Sequence, residues 1–151
     1  AGRVPLAGHG HYSASKHALG AASLILAQEV RAHGIRVVVI EPGVIPTPIR
    51  SKAVRLTDEA SPYYDHRRRL QLLFQKLLLG SPASPQAVAE VIADAITTER
   101  PRFRYLVGAD AEALVQGRSA LSEEDVIEDA RAMSDAEHIE MMRRRYGIDL
   151  S

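Results

Sequence analysis

Cysteine and tryptophan are both absent from this 151-residue chain. Without cysteine there is no disulfide, no thiolate-ligated metal and no thiol nucleophile, and a cytoplasmic location is expected. Net charge of either sign is missing too: 19 Lys and Arg balance 19 Asp and Glu. A neutral chain lacks the broad basic footprint of a nucleic-acid binder, and it has no acidic tail. No apolar run approaches the ~20 residues that cross a bilayer, so no membrane partner is expected. Internal repeats and low-complexity tracts are also lacking. The first residues, Ala1-Gly2-Arg3-Val4-Pro5, match neither a secretory signal nor an initiator sequence. What remains is an ordinary soluble composition, long enough for one domain with one core.

The pattern of apolar residues alternates helix and strand. Residues 1–11, with Gly2, Pro5, Gly8 and Gly10, read as a loop. The spacing predicts a helix from about Ser13 to Ala32, apolar around most of its circumference. Such a helix is buried on more than one face, here against a sheet and a partner subunit. His33-Gly34 is its stop, with Gly in the left-handed position. Ile35 to Ile40 is short and β-branched, the mark of a parallel strand buried on both faces, and Glu41-Pro42-Gly43 ends it. Residues 44–61 read as a loop.

Ser61-Pro62 supplies an N-cap and a first-turn Pro for a helix reaching Leu79, with an apolar stripe at Leu70, Leu73, Phe74 and Leu77. Gly80 closes it. Ser84-Pro85 opens the next helix, where Val88, Val91, Ile92 and Ala95 share a face. Tyr105 to Gly108 is a strand. Ser122-x-x-Asp125 and Ser134-x-x-Glu137 then carry capping-box chemistry into a helical tail. This order implies an α/β fold with parallel pairing. Two strands cannot cover the apolar helices around them, so the chain is expected to be part of a larger α/β domain or to find strands in a partner.

The chemistry concentrates at Tyr12-Ser13-Ala14-Ser15-Lys16. Four residues on a helix put the phenol and the ammonium on one face. A nearby positive charge favours phenolate over phenol. Such a tyrosine can trade a proton with an alcohol or carbonyl oxygen while hydride moves on the adjacent carbon. Pro42-Gly43 lies at the C-terminal end of the first strand, where open α/β sheets bind ligands.

Tyr12-x-x-x-Lys16 on a helix, a buried strand, and then Pro42-Gly43-Val44-Ile45-Pro46-Thr47 together resemble the short-chain dehydrogenase/reductase family. The resemblance runs over roughly residues 1–115 and follows the C-terminal half of that family in order. It implies a Rossmann-type, doubly wound parallel sheet, of which this chain supplies the C-terminal portion. Residues 1–115 would then be part of a dinucleotide-binding domain and residues 116–151 a helical C-terminal extension. It further implies an oxidoreductase that uses NAD or NADP to interconvert a small-molecule secondary alcohol and a ketone.

By resemblance, Tyr12 is the general acid/base and Lys16 tunes it and holds the nicotinamide ribose hydroxyls. Pro42, Gly43, Ile45 and Thr47 complete the cofactor contacts. A homo-oligomer built through the first helix is implied for the intact enzyme. The family's Gly-rich phosphate turn and Asn-Ala-Gly segment do not occur in this sequence, and its catalytic Ser would fall just ahead of Ala1. The chain is therefore expected to be a fragment, incomplete as a catalyst by itself. The alternative is a catalytically inactive fragment that acts only through subunit association.

Other readings of the same residues were weighed. Ser13-Ala14-Ser15-Lys16 also satisfies Ser-x-x-Lys, an acyltransferase nucleophile motif, but the Ser-Asp-Asn and Lys-Thr-Gly partners do not occur. His9, His11 and His17 suggest a metal, yet no carboxylate or Cys stands close in sequence, so no metal is expected. His11, directly before Tyr12, is placed to touch a substrate. The basic run His66 to Arg69 is expected to be a solvated face, with contact to an anionic substrate or cofactor phosphate as the other reading. Tyr63, Tyr64, Leu70, Phe74 and Leu77 line a substrate pocket or pack in the core.

Overall fold

The structure, a computed structural model, describes residues 1–52 and 58–151, with the backbone alone at Arg50 and Ser51. Helix α1 spans Gly10–Glu29 and so begins three residues before the expected Ser13. The expected start followed the apolar spacing. The helix begins without a side-chain cap: His9 is the N-cap, and its carbonyl accepts the Ser13 N–H at 2.9 Å. A single 3₁₀ turn, Arg31–His33, follows, and Gly34 at φ +72° ends the run as expected.

Strand β1 is Val39–Pro42 and pairs in parallel with β2, Arg104–Val107, from Val39↔Arg104 to Pro42↔Val107. The predicted strand over Ile35 to Ile40 is thus displaced toward its C-terminus. Pairing defines a strand, and β2 reaches only the later residues, so Ile35 to Val38 carry no ladder among the described residues. Pro42 has no N–H to donate and is tolerated because it ends the strand.

Within the predicted 44–61 loop lies a four-residue helix, α2, Ile49–Lys52; residues 53–57 of that loop fall outside the described residues. Helix α3, Tyr64–Leu79, starts later than Ser61-Pro62 suggests. Ser61 forms a turn ahead of it, its carbonyl accepting the Tyr64 N–H at 3.0 Å, and Tyr63 is the N-cap. Helix α4, Pro85–Thr97, is capped as expected by the Ser84 hydroxyl, which accepts the Ala87 N–H at 3.0 Å. Helices α5 (Ala109–Ser119), α6 (Glu123–Glu128) and α7 (Asp135–Tyr146) follow, and both expected capping boxes form, at Ser122 with Asp125 and at Ser134 with Glu137.

Two packing centres hold these pieces. On β2, Tyr105 and Val107 share a face and are buried, while α4 packs on both strands through its buried Ala95. Arg104 points to the other face, ion-paired across the ladder to Glu41, and a Cβ on Gly20 of α1 would sit 3.4 Å from its guanidinium. The second centre is Leu73 of α3 with Met142, Tyr146, Ile148 and Leu150. There α5 and α7 touch closely: a Cβ on Gly117 would come 2.6 Å from the Tyr146 ring. None of the described helices is long and apolar enough to cross a membrane.

One clasp fixes the end of β1. Asp110, in the first turn of α5, accepts the Val44 N–H at 2.6 Å. Its carboxylate occupies the space where a Cβ on Gly43 would lie. Gly43→Ala must therefore push Asp110 aside and break a charge-assisted hydrogen bond, which costs about 1–3 kcal/mol. Chemical denaturation of the variant measures this, and an unchanged midpoint contradicts the clasp.

Stability should also fall on acidification. Burial holds the His9 and His138 imidazoles below the usual histidine range. Hydrogen bonds from Ser122 and Arg68 hold Asp125 and Asp135 below the usual carboxylate range, and the Ser151 backbone N–H helps bring Asp149 to about 2. A group whose value is lowered by folding binds fewer protons folded than unfolded, so its stabilising contribution is lost as pH drops. The histidine part goes below the ordinary value of 6.5 and the carboxylate part from 3.8 toward 2. Thermal melts should show Tm declining below neutrality and dropping further under pH 4. A Tm that stays level from pH 7 to 3 contradicts this.

Candidate active site

Because α1 is regular from Gly10, Tyr12 and Lys16 lie one turn apart within it. Lys16 Nζ stands 5.3 Å from the centroid of the Tyr12 ring. Tyr12 is 48% exposed and Lys16 is half-buried. Among the described residues neither the phenol oxygen nor the ammonium forms a hydrogen bond or ion pair, so both are free to meet a ligand. Ser15 turns back on the helix and donates its hydroxyl hydrogen to the Tyr12 carbonyl at 2.7 Å. Ser13 faces inward and is only 4% exposed. That burial shuts its hydroxyl away from any acyl donor and removes the Ser-x-x-Lys reading. His17 lies against its own helix, Nδ1 2.9 Å from the Ser13 carbonyl oxygen.

The residue stacked on Tyr12 is His9. The two rings lie 4.6 Å apart at an angle of 21°, and His9 also meets the edge of Phe74 in α3 at 5.6 Å. Sequence reasoning read His9 as a loop histidine beside the active site in preference to a metal ligand, and looked to His11 for substrate contact. A histidine three residues before the helix tyrosine, in a Gly-flanked loop, was the available signal.

At the other end of the site, Gly43 N–H donates to the Val107 carbonyl at 2.9 Å and the Asp110 clasp holds Val44. This fixes Pro42 and Gly43 at the carboxyl edge of the sheet. Ile45 is half-buried and Thr47 exposed, and neither the Ile45 backbone nor the Thr47 hydroxyl is hydrogen-bonded among the described residues. Asp110 was not anticipated, although an Asp in the first turn of a helix after a strand and a Gly is the place for such an anchor. No hydrogen bond or ion pair joins the Tyr12–Lys16 pair to Pro42–Thr47 among the described residues. The two sets are related through the sheet, on which α1 rests at Gly20 over Arg104.

Helix α3 covers the other flank. The basic run stays solvated at Arg68, whose side chain is 37% exposed, but not at Arg69. Arg68 binds the Asp135 carboxylate with two hydrogen bonds, at 2.8 and 2.5 Å. Arg69 is buried, donates to the Met133 carbonyl and lies 3.5 Å from Asp135. Both therefore tie α3 to the start of α7. Of the apolar stripe, Leu73 packs in the core and Phe74 reaches His9. Leu70 and Leu73 also border a cavity of about 90 Å³ beneath the 5–7 loop, beside Met141 and Met142.

The free donors suit the nicotinamide end of a dinucleotide. An ammonium and a phenol match a ribose diol, and a free backbone amide with a hydroxyl matches a carboxamide. Among the described residues no Gly-rich turn leads from a strand into a helix to hold a pyrophosphate.

Residues 1–57 match the family model described as short chain dehydrogenase. Oxidoreductase BOA17 of Botryotinia fuckeliana is 30% identical over 110 residues, covering 73% of this chain and 40% of that protein. The 17-beta-hydroxysteroid dehydrogenase type 6 of Rattus norvegicus is 32% identical over 122 residues, covering 73% of this chain and 38% of that protein. A crystal structure of a short-chain dehydrogenase from Streptomyces avermitilis is 30% identical with a TM-score of 0.65, covering 98% of this chain and 49% of that one. The chain thus spans about two-fifths of the length of the curated relatives it matches. Its parallel strands and flanking helices are those of a Rossmann-type α/β sheet. A helix-borne Tyr12/Lys16 pair, a strand ending in Pro42-Gly43 and these matches in sequence and fold lead to one conclusion: the chain belongs to the short-chain dehydrogenase/reductase family of oxidoreductases.

Proposed function

We propose that this chain carries the proton-transfer pair and the nicotinamide side of an NAD- or NADP-dependent enzyme that interconverts secondary alcohols and ketones. The observation that carries the reading is the placement of the Lys16 ammonium 5.3 Å from the Tyr12 ring with both polar tips free. In reduction the Tyr12 hydroxyl gives its proton to the carbonyl oxygen; in oxidation the tyrosinate takes the proton of the substrate hydroxyl. Lys16 stabilises negative charge on the phenolate oxygen as it develops and supplies N–H donors to a ribose diol. Pro42 and Gly43, held by Asp110, shape the floor at the strand end. The Ile45 backbone and the Thr47 hydroxyl are the groups that would hold the carboxamide. A bound nicotinamide supplies or accepts the hydride at the reacting carbon.

Helix α3 stands over this site as a lid tied to α7 through Arg68, Arg69 and Asp135. In this reading residues 1–115 are part of the dinucleotide domain and residues 116–151 an extension that secures the lid, in a cytoplasmic enzyme. The hydroxysteroid dehydrogenase relative makes bulky secondary alcohols the first substrates to try.

A second observation bears on assembly. Leu19, Leu24, Ile25 and Leu26 of α1 are each 46–55% exposed and lie around the helix rather than on one face, apolar surface of the kind that marks association. We assign it to association between copies of the chain. Titration with NADH separates a working site from association alone. Enhanced nicotinamide fluorescence supports the site, whereas an unchanged signal together with concentration-dependent self-association supports the non-catalytic reading.

In an active enzyme carrying this chain, Tyr12→Phe should cut kcat on the order of 10²- to 10⁴-fold while leaving cofactor affinity nearly unchanged. Absorbance of the reduced nicotinamide, followed with a panel of secondary alcohols, measures both. Turnover at the parent rate in that variant would remove Tyr12 from the mechanism.

A further inference from the structure

Three features outside the proton-transfer pair invite a role: the small cavity beneath α3, the imidazoles of His66 and His138 at its rim, and His9. The cavity's buried cation, Arg69, is already held by Met133 and Asp135, and its Asp129 is ion-paired with Arg145 at 3.1 Å. His9 differs. It is half-buried, and its two ring nitrogens have no hydrogen-bond partner among the described residues. The ring is nonetheless fixed, stacked on Tyr12 and in a T-shaped contact with Phe74. Its backbone is fixed as well, the N–H bonded to the Leu6 carbonyl at 3.1 Å and the carbonyl bonded by Ser13.

An imidazole held by ring contacts while its nitrogens make no hydrogen bond is arranged to meet a ligand. We propose that His9 is a substrate-contacting, specificity-determining residue whose ring nitrogen binds a second oxygen of the substrate, one carried close to the carbon on which Tyr12 acts. The preferred substrates are accordingly vicinal diols and α-hydroxy ketones rather than plain secondary alcohols. The stack, with centroids 4.6 Å apart, makes the imidazole a direct neighbour of the Tyr12 phenol. Burial keeps the imidazole neutral near pH 7, and a neutral ring offers one donor and one acceptor, so it serves a hydroxyl or a carbonyl equally. Phe74 brings the lid helix into the same contact, which lets the substrate's second oxygen and the lid engage together.

The inference rests on Tyr12 as the acid/base, and the test separates the two. The chain is labelled with ¹⁵N in histidine and ¹³Cζ in tyrosine and titrated with isopropanol and with propylene glycol, which differ by one hydroxyl on the adjacent carbon. The diol should shift the His9 nitrogens and bind about three- to ten-fold more tightly than isopropanol, the worth of one hydrogen bond. His9→Phe keeps both ring contacts and removes the nitrogens, so it should erase that preference by weakening the diol more than isopropanol. His9→Gln returns a hydrogen-bonding group and should restore part of it.

A diol preference that survives His9→Phe, or no preference in the parent chain while the Tyr12 signal responds to both alcohols, overturns the role of His9 and leaves Tyr12 standing. A Tyr12 signal that responds to neither alcohol in the folded chain overturns the reading of Tyr12 and this one with it.

Discussion

The site depends on α1 being a regular helix through its first two turns. Only then does a spacing of four residues bring the Tyr12 phenol and the Lys16 ammonium onto one face. The helix achieves this without a side-chain cap. It is held instead by burial of Ser13, by the close seat of Gly20 over Arg104, and by the bonds that His9 makes with Leu6 and Ser13. Arg104 in turn pairs with Glu41 across the ladder, so the platform under α1 is the parallel pair β1–β2. Arg104 thus links the seat of α1 to the strand pair that ends in Pro42.

Two clasps bring the remaining parts to this frame. Asp110 reaches across Gly43 to the Val44 N–H and fixes the loop leaving β1. Arg68 and Arg69 hold Asp135 and the Met133 carbonyl and so bind α3 to α7. Each clasp joins residues more than sixty positions apart and spends a charge on a backbone group or a helix start. Charge-assisted bonds of this kind are shorter and stronger than neutral ones, which suits loops that bear on chemistry.

What the sequence made legible was governed by local chemistry. The Ser84 cap, the two capping boxes and the Gly34 stop were all written within a few residues of where they act. The Tyr12/Lys16 pair was legible for the same reason, since spacing alone defines a helix face. The misplaced features depended on distant partners. The strand begins at Val39 rather than Ile35 because β2 is only four residues long and pairs there. Ser61 forms a turn rather than a cap. Arg69 leaves the solvent, and Arg68 pairs at the surface, because Asp135 lies opposite them, a fact no local pattern contains. The stack of His9 on Tyr12 and the Asp110 clasp went unread because a ring stack and a loop clasp exist only once the chain has folded.

The account makes the Tyr12/Lys16 pair the working centre of a nicotinamide site at the carboxyl edge of β1. The most direct measurement is a crystal structure of an enzyme carrying this chain with its nicotinamide cofactor bound. The account predicts the Lys16 ammonium on the nicotinamide ribose hydroxyls and the Tyr12 hydroxyl facing the reactive side of the ring, with Ile45 and Thr47 at the carboxamide. A cofactor seated away from α1, with the Tyr12 hydroxyl turned to solvent, would contradict it.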